Sequence, residues 1–458
     1  MQEAIEEAQG ENQGEDPDDV AQKQILGLFL RTAQQHGGKW KDIFGGVSDV
    51  REAGKITYPL SVLLFTGVLL FICQLGARRQ INHKLRGNAR VRQKYQTLFG
   101  VGDIPHGDTL NYTYQRLKVD EVQEVVCRLM EGVMEQEELR RWRLLGIYYL
   151  VAMDGTGVMT YHERHCATCL TRKLSNGQIL YYHPVLEAKL VTANGYALSL
   201  ITEFIENNDP QATKQDCELK AFYRLADRLK QRFPHAHFCL LLDGLFAGGP
   251  TLEVCEQKDW KYLIGLTDED LPTVNQEFEA LLTLPPENRK EIALAKGIQQ
   301  VYRWMNGIAY TDSDQRTHAL NVLECVETTP NKPEQPTKFK WLTNFTLLST
   351  NSPSLANQAG RLRWKIENEG FNLQKNGGFA LEHIFSHAET AHKIFYLLLQ
   401  IALLFFQLMT KCSAFTRAFP KGLGSLKNVA YRLLEAWRNL RIDAQAFLAL
   451  LTLPFDTS

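Results

Sequence analysis

Two apolar segments, each ending in an Asp-Gly pair, constrain the fold of this chain more than any other feature. The run 144–153 is continuously apolar and aromatic and stops at Asp154, and the run 238–242 stops at Asp243. Continuous apolar runs of this length are typical of strands that are buried on both faces. We therefore predict a buried, partly parallel sheet with Asp154 and Asp243 at one edge, although Asp-Gly is also a common turn pair.

Strand and helix patterns alternate around these two segments. Further strand patterns occupy 178–182, 185–191 and 260–266, and an amphipathic helix pattern covers 213–233. Residues 301–345 again carry aromatic and β-branched side chains at strand spacing. We predict an α/β fold whose core comprises residues 141–270 and 351–390, with a β-rich insertion at 271–350.

The two ends of the chain have helical patterns instead. Apolar residues recur at three- and four-residue spacing over 21–140 and again over 391–458. Two apolar runs, 56–77 and 394–410, approach the ~18 to 20 residues of a membrane span. Both runs contain polar residues and lack a strong flanking charge bias, so we predict buried core helices and no membrane partner.

Charge is unevenly distributed along the chain. The 458 residues carry a net charge of −1, but residues 1–19 hold eight acids and no Lys or Arg, which leaves +7 on the remainder. We predict that residues 1–20 form an acidic, disordered tail in front of a mildly basic body. Nine scattered cysteines without a secretory leader predict a reducing, cytoplasmic location.

A basic run in the helical N-terminal region is a candidate nucleic-acid contact. It has no acidic residue before Asp103 and consists of Arg78, Arg79, Lys84, Arg86, Arg90, Arg92 and Lys94. Such a run allows a helical domain to lie against phosphates, which makes 21–140 a candidate DNA-binding region. The alternative is a solvated basic face without a ligand.

A third acid lies among cations late in the chain. In the stretch 361–375, Glu367 follows Arg363 by one helical turn and precedes Lys375 by about two turns. This spacing also suits an ordinary solvated helix face. If Glu367 joins Asp154 and Asp243, however, the three carboxylates would repel one another unless Mg²⁺ or Mn²⁺ lay between them. Two such ions are able to promote phosphodiester cleavage and transfer.

Five short sequence blocks contain or lie near these acids. They are 153–157, 182–189, 214–220, 240–244 and 363–367. In this order they resemble the DDE transposases of bacterial insertion sequences, within the group whose third acid lies in a Tyr-Arg-Glu-Lys signature. The resemblance covers roughly residues 50 to 390. It implies a ribonuclease-H-like catalytic core, flanking helical regions, and Mg²⁺-dependent (or Mn²⁺-dependent) cutting and joining of DNA.

The resemblance also assigns residues and partners. It places the catalytic, metal-binding acids at Asp154, Asp243 and Glu367 and the signature Arg at Arg363, and it implies that Arg363 and Lys375 contact DNA phosphates. It implies double-stranded DNA partners, namely terminal inverted repeats and target DNA, and a homodimer in a synaptic complex associated with the bacterial nucleoid. Two departures concern the signature: its Tyr falls on Gly360, and Lys375 comes one residue late. Glu369, with Lys365 in the Arg position, is a poorer third acid.

A separate His/Cys cluster and two rival functions remain open. His162, Cys166 and Cys169 could hold a structural Zn²⁺, with His165 and His183 nearby, although four ligands in separated pairs are usual. One rival function is an actin-like or sugar-kinase-type ATPase with an Asp-Gly-Thr-Gly phosphate loop. The other is a catalytically silent, DNA-binding descendant of a transposase.

Overall fold

The structure, a computed structural model, describes residues 17–209, 211, 214–282 and 288–452. The described chain belongs to two compact units. The helical unit is assigned to Met1–Val125, Gly377–Ala380 and Phe385–Ser458, and the sheet unit to Val126–Asn376 and Leu381–Ile384. Helices from both ends of the chain therefore belong to one unit. Most of the predicted acidic tail, residues 1–16, lies outside the described residues, whereas residues 17–20 begin the first helix.

The helical unit contains α-helices from both ends of the chain. The N-terminal ones are α1 (Pro17–Gly37), α2 (Trp40–Ile43), α3 (Leu60–Ile72), α4 (Arg79–Ile81), α5 (Ala89–Phe99), α6 (Gly107–Tyr114) and the first part of α7 (Val119–Met134). A π-helical segment, Asn82–Arg86, follows α4. The C-terminal ones are α14 (Glu389–Lys411), α15 (Ser413–Ala418), α16 (Leu426–Asn439) and α17 (Ala444–Thr452).

The two long apolar runs form the centre of the helical unit. Helices α3 and α14 pack against each other, and a Cβ on Gly67 would lie only 2.5 Å from Tyr114 Oη and 2.6 Å from Leu398. A glycine is therefore required where these helices come together. Among the described helices, α14 alone is long and apolar enough to cross a membrane, and 89% of its most apolar window is buried within the protein.

The sheet unit is a mixed α/β structure built on one ten-stranded sheet. Its strands run in the order β2-β3-β1-β5-β6-β10-β9-β8-β7, and β4 pairs with β3. The pairs β1–β5 and β5–β6 are parallel, and the other pairs are antiparallel. The strands are β1 (Tyr149–Tyr161), β2 (Leu170–Lys173), β3 (Ile179–Val191), β4 (Ala197–Phe204), β5 (Phe238–Leu242), β6 (Lys261–Gly265), β7 (Arg289–Ala293), β8 (Gln299–Thr311), β9 (Thr317–Thr329) and β10 (Lys332–Thr343). This architecture agrees with the predicted α/β class.

Strand β1 is longer than the apolar pattern predicts, because it does not end at Asp154. Its parallel pairing with β5 ends at Ala152, which lies opposite Leu241, but β1 continues to Tyr161 while paired with β3. Extending the β1–β5 register by two residues places Asp154 beside Asp243. Adjacent strands are separated by about 4.8 Å, so the end of β5 still brings the two acids to one sheet edge.

The predicted insertion, residues 271–350, contributes to the same sheet. Strand β10 pairs antiparallel with β6 through Trp341 opposite Gly265, and β9, β8 and β7 follow outward from β10. The helices of the sheet unit, besides the rest of α7, are α8 (Glu137–Arg140), α9 (Glu218–Arg232), α10 (Gly249–Gln257), α11 (Pro272–Leu281), α12 (Ser352–Gln358) and α13 (Leu373–Asn376).

The stretch 361–375 is helical but not uniformly α-helical. Residues Gly360–Trp364 form a 3₁₀ turn, Ile366–Asn372 form a π-helix and α13 follows. A π-helix has more residues per turn than an α-helix. Glu367 therefore lies in the π-helix, and Lys375 lies in the α-helix that follows it.

Candidate active site

Asp154 and Asp243 are held at the sheet edge by hydrogen bonds to the backbone that follows them. Gly155 N donates to Asp154 Oδ1 at 2.8 Å, and Leu245 N donates to Asp243 Oδ1 at 3.0 Å. The Asp243 side chain thereby caps the 3₁₀ turn Gly244–Phe246. Each carboxylate keeps its second oxygen available for other contacts.

Arg363 connects the first acid with the third. Its Nη2 lies 3.0 Å from Glu367 Oε1, and its Nη1 lies 3.6 Å from Asp154 Oδ2. The side chains of Arg363 and Asp154 are largely sheltered, with exposed fractions of 12% and 17%, whereas that of Glu367 is 37% exposed. A single guanidinium thus holds the strand acid and the helix acid together.

The electrostatics of Asp154 reflect this crowding. Burial is the main cause that raises its pKa to about 7, and the charges of Glu367 and Asp243 raise it further. Arg363 and the Gly155 hydrogen bond oppose the shift. A carboxyl group that loses its proton near neutral pH, next to two further acids, is typical of a functional site rather than of a solvated surface.

The other residues of the signature stretch lie apart from this group. The rival acid Glu369 pairs with Lys365, with 2.5 Å between Nζ and Oε1, and Lys375 Nζ lies 3.1 Å from Glu382 Oε1. No ion pair in the described part of the chain joins Lys375 to Glu367. Of the two candidate third acids, Glu367 is the one that shares a cation with Asp154.

Gly360 stands where the signature Tyr would fall, and its surroundings explain why. A Cβ at this position would lie 2.5 to 2.9 Å from the indole ring of Trp341. Trp341 therefore fills the space that a larger side chain at position 360 would require. Its ring in turn stacks on Phe339, with 6.0 Å between the ring centroids.

A pocket of about 300 Å³ opens beside Asp243. Its wall combines cations with aromatic rings: Arg361 lies 4.2 Å from the centre of the Phe339 ring, and Arg363 lies 4.2 Å from that of Trp364. The Trp364 side chain is 52% exposed. The remaining charged lining residues are Lys338 and Lys340. Cations and exposed aromatic faces are the groups that bind single nucleic-acid strands.

Glu218, the first residue of α9, is a further acid at this edge that the sequence did not reveal. A Cβ on Gly155 would overlap its carboxylate, so Glu218 lies directly against the backbone next to Asp154. Burial and the charge of Asp243 raise its pKa. An acidic residue at a helix N-terminus is too common to have marked Glu218 as part of a site.

A buried ion pair supports the π-helix that carries Glu367. Lys189 and Glu187 are fully buried on β3, with 3.2 Å between Nζ and Oε2. The Lys189 chain lies 3.3 Å from the Cβ position of Gly370, and its Nζ lies 5.8 Å from the centre of the Phe371 ring. Because Glu187 is the β3 partner of Asp154, this contact links the strand acid to the helix acid.

The predicted basic run divides into buried and exposed cations. Lys94 is only 2% exposed, and its Nζ donates to the carbonyl oxygens of Trp437 (2.9 Å) and Leu440 (3.1 Å). Burial, with a smaller effect of Arg90, lowers the Lys94 pKa to about 8. Arg90 donates to Asn439 O at 2.5 Å. These two residues therefore secure the end of α16.

The remaining cations of the run are at least partly exposed. Arg78 and Arg86 pair with Asp108 at 3.4 Å and Asp103 at 3.6 Å. The other three are exposed and have no ion pair among the described residues: Arg79, Lys84 and Arg92. Only this part of the run is free to meet phosphates without first losing an internal partner.

The His/Cys cluster differs from the predicted set in one ligand. His165, Cys166 and Cys169 place one potential ligand atom each within 4.8 Å of one another. His162, which the sequence suggested, is exposed and lies outside the group. The chain turns between the two histidines, and the His165 ring instead lies against Tyr161, with 3.7 Å between the ring centroids.

Two comparisons with known proteins found a match. A family model described as DDE_Tnp_1-associated matches residues 41–130. The chain is also similar to a solved structure of a piggyBac transposase synaptic complex with hairpin DNA, with 9% sequence identity and a TM-score of 0.42. That match covers 94% of this chain and 82% of the other chain. No curated protein matches. The family match links the N-terminal helical region to DDE-type transposases and supports a transposase.

Proposed function

We propose that this protein is a DNA transposase of the DDE type, of the bacterial insertion-sequence kind, that cuts and joins DNA at transposon ends. The observation that carries the proposal is that Asp154 and Glu367 share Arg363, while Asp243 lies close enough for its charge to raise the Asp154 pKa. Two of these acids come from adjacent strands and the third from a distant helix, and a structural ion pair would not need a third acid.

The arrangement of strands supports a ribonuclease-H-like catalytic core. The segment β4-β3-β1-β5-β6 combines two antiparallel pairs with two parallel pairs. The first and second acids lie on the central strand and after its parallel neighbour. The strands β7 to β10 lie between the second acid and the helix with the third, as proposed for the β-rich insertion.

The chemistry of the acids fits divalent cations. Three clustered carboxylates offer hard oxygen ligands. Burial is the main cause of the raised Asp154 pKa, and the charges of Glu367 and Asp243 add to it. Asp154, Asp243 and Glu367 would hold Mg²⁺ or Mn²⁺. When bound, such ions activate an attacking hydroxyl and stabilise the leaving oxygen of a phosphodiester.

The protein's own groups would position the DNA for this chemistry. The two aspartates accept hydrogen bonds from the backbone, so their orientation is set before substrate binds. Arg363 would steady the scissile phosphate or its neighbour, and the pocket beside Asp243 would receive part of the adjacent strand. Water would attack the phosphodiester at the element's end, and the freed 3′-hydroxyl would then attack target DNA.

The helical unit would recognise terminal inverted repeats in double-stranded DNA. Its exposed cations Arg79, Lys84 and Arg92 would contact phosphates, with Arg78 and Arg86 contributing once DNA replaces their acidic partners. Cutting two ends together implies a homodimer in the synaptic complex. The protein would then work in the bacterial cytoplasm, on the nucleoid.

The decisive experiment uses a supercoiled plasmid that carries the gene with its native flanking DNA. Purified full-length protein in Mg²⁺ should nick or release the element. Asp243→Asn and Glu367→Gln should reduce cleavage by at least about 100-fold, while the matched variant Glu369→Gln should stay close to wild type. All variants should still shift the flanking DNA in a gel.

Other outcomes would decide against the proposal. Cleavage by Asp243→Asn at the wild-type rate would remove these acids from the chemistry. DNA binding without cleavage by the wild-type protein would favour a silent descendant. Thermal stabilisation by ATP, without any effect of DNA, would favour the ATPase.

A further inference from the structure

The His/Cys cluster lies away from the acids, at the far end of the β1–β3 hairpin. His183 on β3 pairs with Met159 on β1, five positions beyond Asp154. At about 3.3 Å per residue, these five positions place His183 roughly 16 Å along the strand from Asp154. The cluster therefore needs an explanation of its own.

We propose that His165, Cys166, Cys169 and His183 bind one zinc ion as a structural Cys₂His₂ site. Three of these residues come from the loop between β1 and β2, and the fourth comes from β3. Three ligands are therefore close in sequence and the fourth, His183, is distant. A zinc ion bound by all four would cross-link the loop to strand β3. This inference is independent of the proposed DNA chemistry.

The distances suit tetrahedral zinc. Cys166 Sγ lies 3.4 Å from His183 Nε2, and bond lengths of about 2.3 Å to sulfur and 2.0 Å to nitrogen place such ligands about 3.6 Å apart in a tetrahedron. The ligand atoms of His165, Cys166 and Cys169 lie within 4.8 Å of one another. A contraction of about 1 Å would bring these three to the roughly 3.8 Å expected for a tetrahedral site. His183 lies outside this 4.8 Å group and joins it through Cys166, so its ring or the loop has to shift further to close the site.

The histidine rings are also gathered around the same point. His165 and His183 have ring centroids 5.1 Å apart at an interplanar angle of 71°. His183 is 6% exposed, and Cys169 is fully buried. Two imidazoles and two thiols meeting in a sheltered place provide the borderline-soft ligands that zinc prefers over magnesium.

Backbone contacts hold the loop in place before any metal binds. Asn207 N donates to Thr168 O at 2.9 Å, and Asn207 Nδ2 donates to Cys169 O at 3.2 Å. Cys169 Sγ lies 3.3 Å from Cys166 O. A preformed loop reduces the ordering cost of metal binding, because the ligands need only small shifts to close on the ion.

Metal analysis of the full-length protein tests the proposal. Protein expressed with zinc and purified without chelator should contain one zinc per chain. Cys166→Ser and Cys169→Ser should lose it, whereas His162→Ala and Cys217→Ser should keep it. His162 is an exposed histidine of the same loop, and Cys217 is an exposed thiol.

Two measurements on the wild-type chain apply even if the serine variants fail to fold. Cobalt(II) added to metal-free protein should give the intense d–d and sulfur-to-cobalt absorption of a tetrahedral thiolate site. Zinc should protect Cys166 and Cys169 from alkylation while Cys217 reacts. Zinc-free protein with no cobalt absorption would overturn the proposal, as would a Cys166–Cys169 disulfide or zinc retained by Cys166→Ser.

Discussion

Replacing Asp154 with Asn should stabilise the metal-free protein while it abolishes cleavage. The folded protein raises the Asp154 pKa from 3.8 to about 7, mainly through burial and then through the charges of Glu367 and Asp243. The ionised Asp154 side chain therefore lowers the free energy of unfolding, whereas a neutral Asn side chain at this position does not. Removing the charge also leaves Arg363 paired with Glu367, so the variant keeps one ion pair at this position.

The pH dependence of this gain follows from the direction of the shift. Below pH 3.8 the carboxyl is protonated in both the folded and the unfolded chain, so the native state loses nothing through ionisation. As pH rises from 3.8 to about 7, the unfolded chain ionises first and the folded state loses stability. At about 1.4 kcal/mol per pKa unit, the cost grows from less than about 1 kcal/mol at pH 4 to at most about 4 kcal/mol at pH 8.

Thermal unfolding in EDTA at pH 4 and at pH 8 measures this difference. For a chain of 458 residues, a gain of about 2 to 4 kcal/mol would raise the unfolding midpoint of Asp154→Asn by about 2 to 4 °C at pH 8, with little change at pH 4. Asp227→Asn is the matched control, because Asp227 is a surface acid paired with Lys258 and should have a small effect. Added Mg²⁺ should stabilise wild type but not the Asn variant. A variant that is less stable than wild type at pH 8, or equally shifted at both pH values, would refute the reasoning.

Three further predictions concern other parts of the chain. Lys94→Met should destabilise the protein by about 1.5 to 3 kcal/mol, because two buried carbonyls lose a charged donor. Its control, Arg92→Ala, should leave the unfolding midpoint unchanged and should lower the salt dependence of DNA binding by about one ion. Equal stability of the two variants would contradict the buried position of Lys94. Gly360→Ala should lower the free energy of unfolding by about 1 to 3 kcal/mol in a urea titration, because the added Cβ would overlap the Trp341 ring. An unchanged midpoint would show that the Trp341 ring moves aside without loss of stability. Glu218→Gln should raise the Mg²⁺ concentration needed for half-maximal cleavage by about tenfold, and an unchanged Mg²⁺ titration would exclude Glu218 from the metal environment.

Features that depend on local pattern were predictable. Apolar runs of strand length predicted β1 and β5. Asp243 follows the end of β5 as predicted, whereas Asp154 lies within β1, where the pairing with β5 ends; the two acids could be named together, but the strand end predicted at Asp154 was wrong. The spacing of four between Arg363 and Glu367 likewise predicted their contact, because residues one helical turn apart are neighbours whatever the rest of the fold does.

Features that depend on distant partners were not predictable. Strand β1 continues past Asp154 because β3 pairs with it, and Glu218 reaches the acids because α9 begins where Gly155 leaves room. Lys94 looked like one more cation of a basic run, yet it is buried because carbonyls 343 and 346 residues later in the chain accept its hydrogen bonds. Similarly, the Trp341 ring on strand β10 occupies the space that a side chain at position 360 would need, which explains the glycine there.

By itself, the sequence predicted the α/β class and the two strand-associated acids from periodicity within a few turns of chain. It predicted Glu367 as the third acid from the resemblance to the signature stretch, because the spacing to Arg363 also suits a solvated helix face. Only the tertiary structure decided which cations remain exposed, which histidine accompanies Cys166 and Cys169, and that one guanidinium joins Asp154 to Glu367. These outcomes depend on burial and on contacts between residues far apart in sequence, and neither is encoded in any single segment.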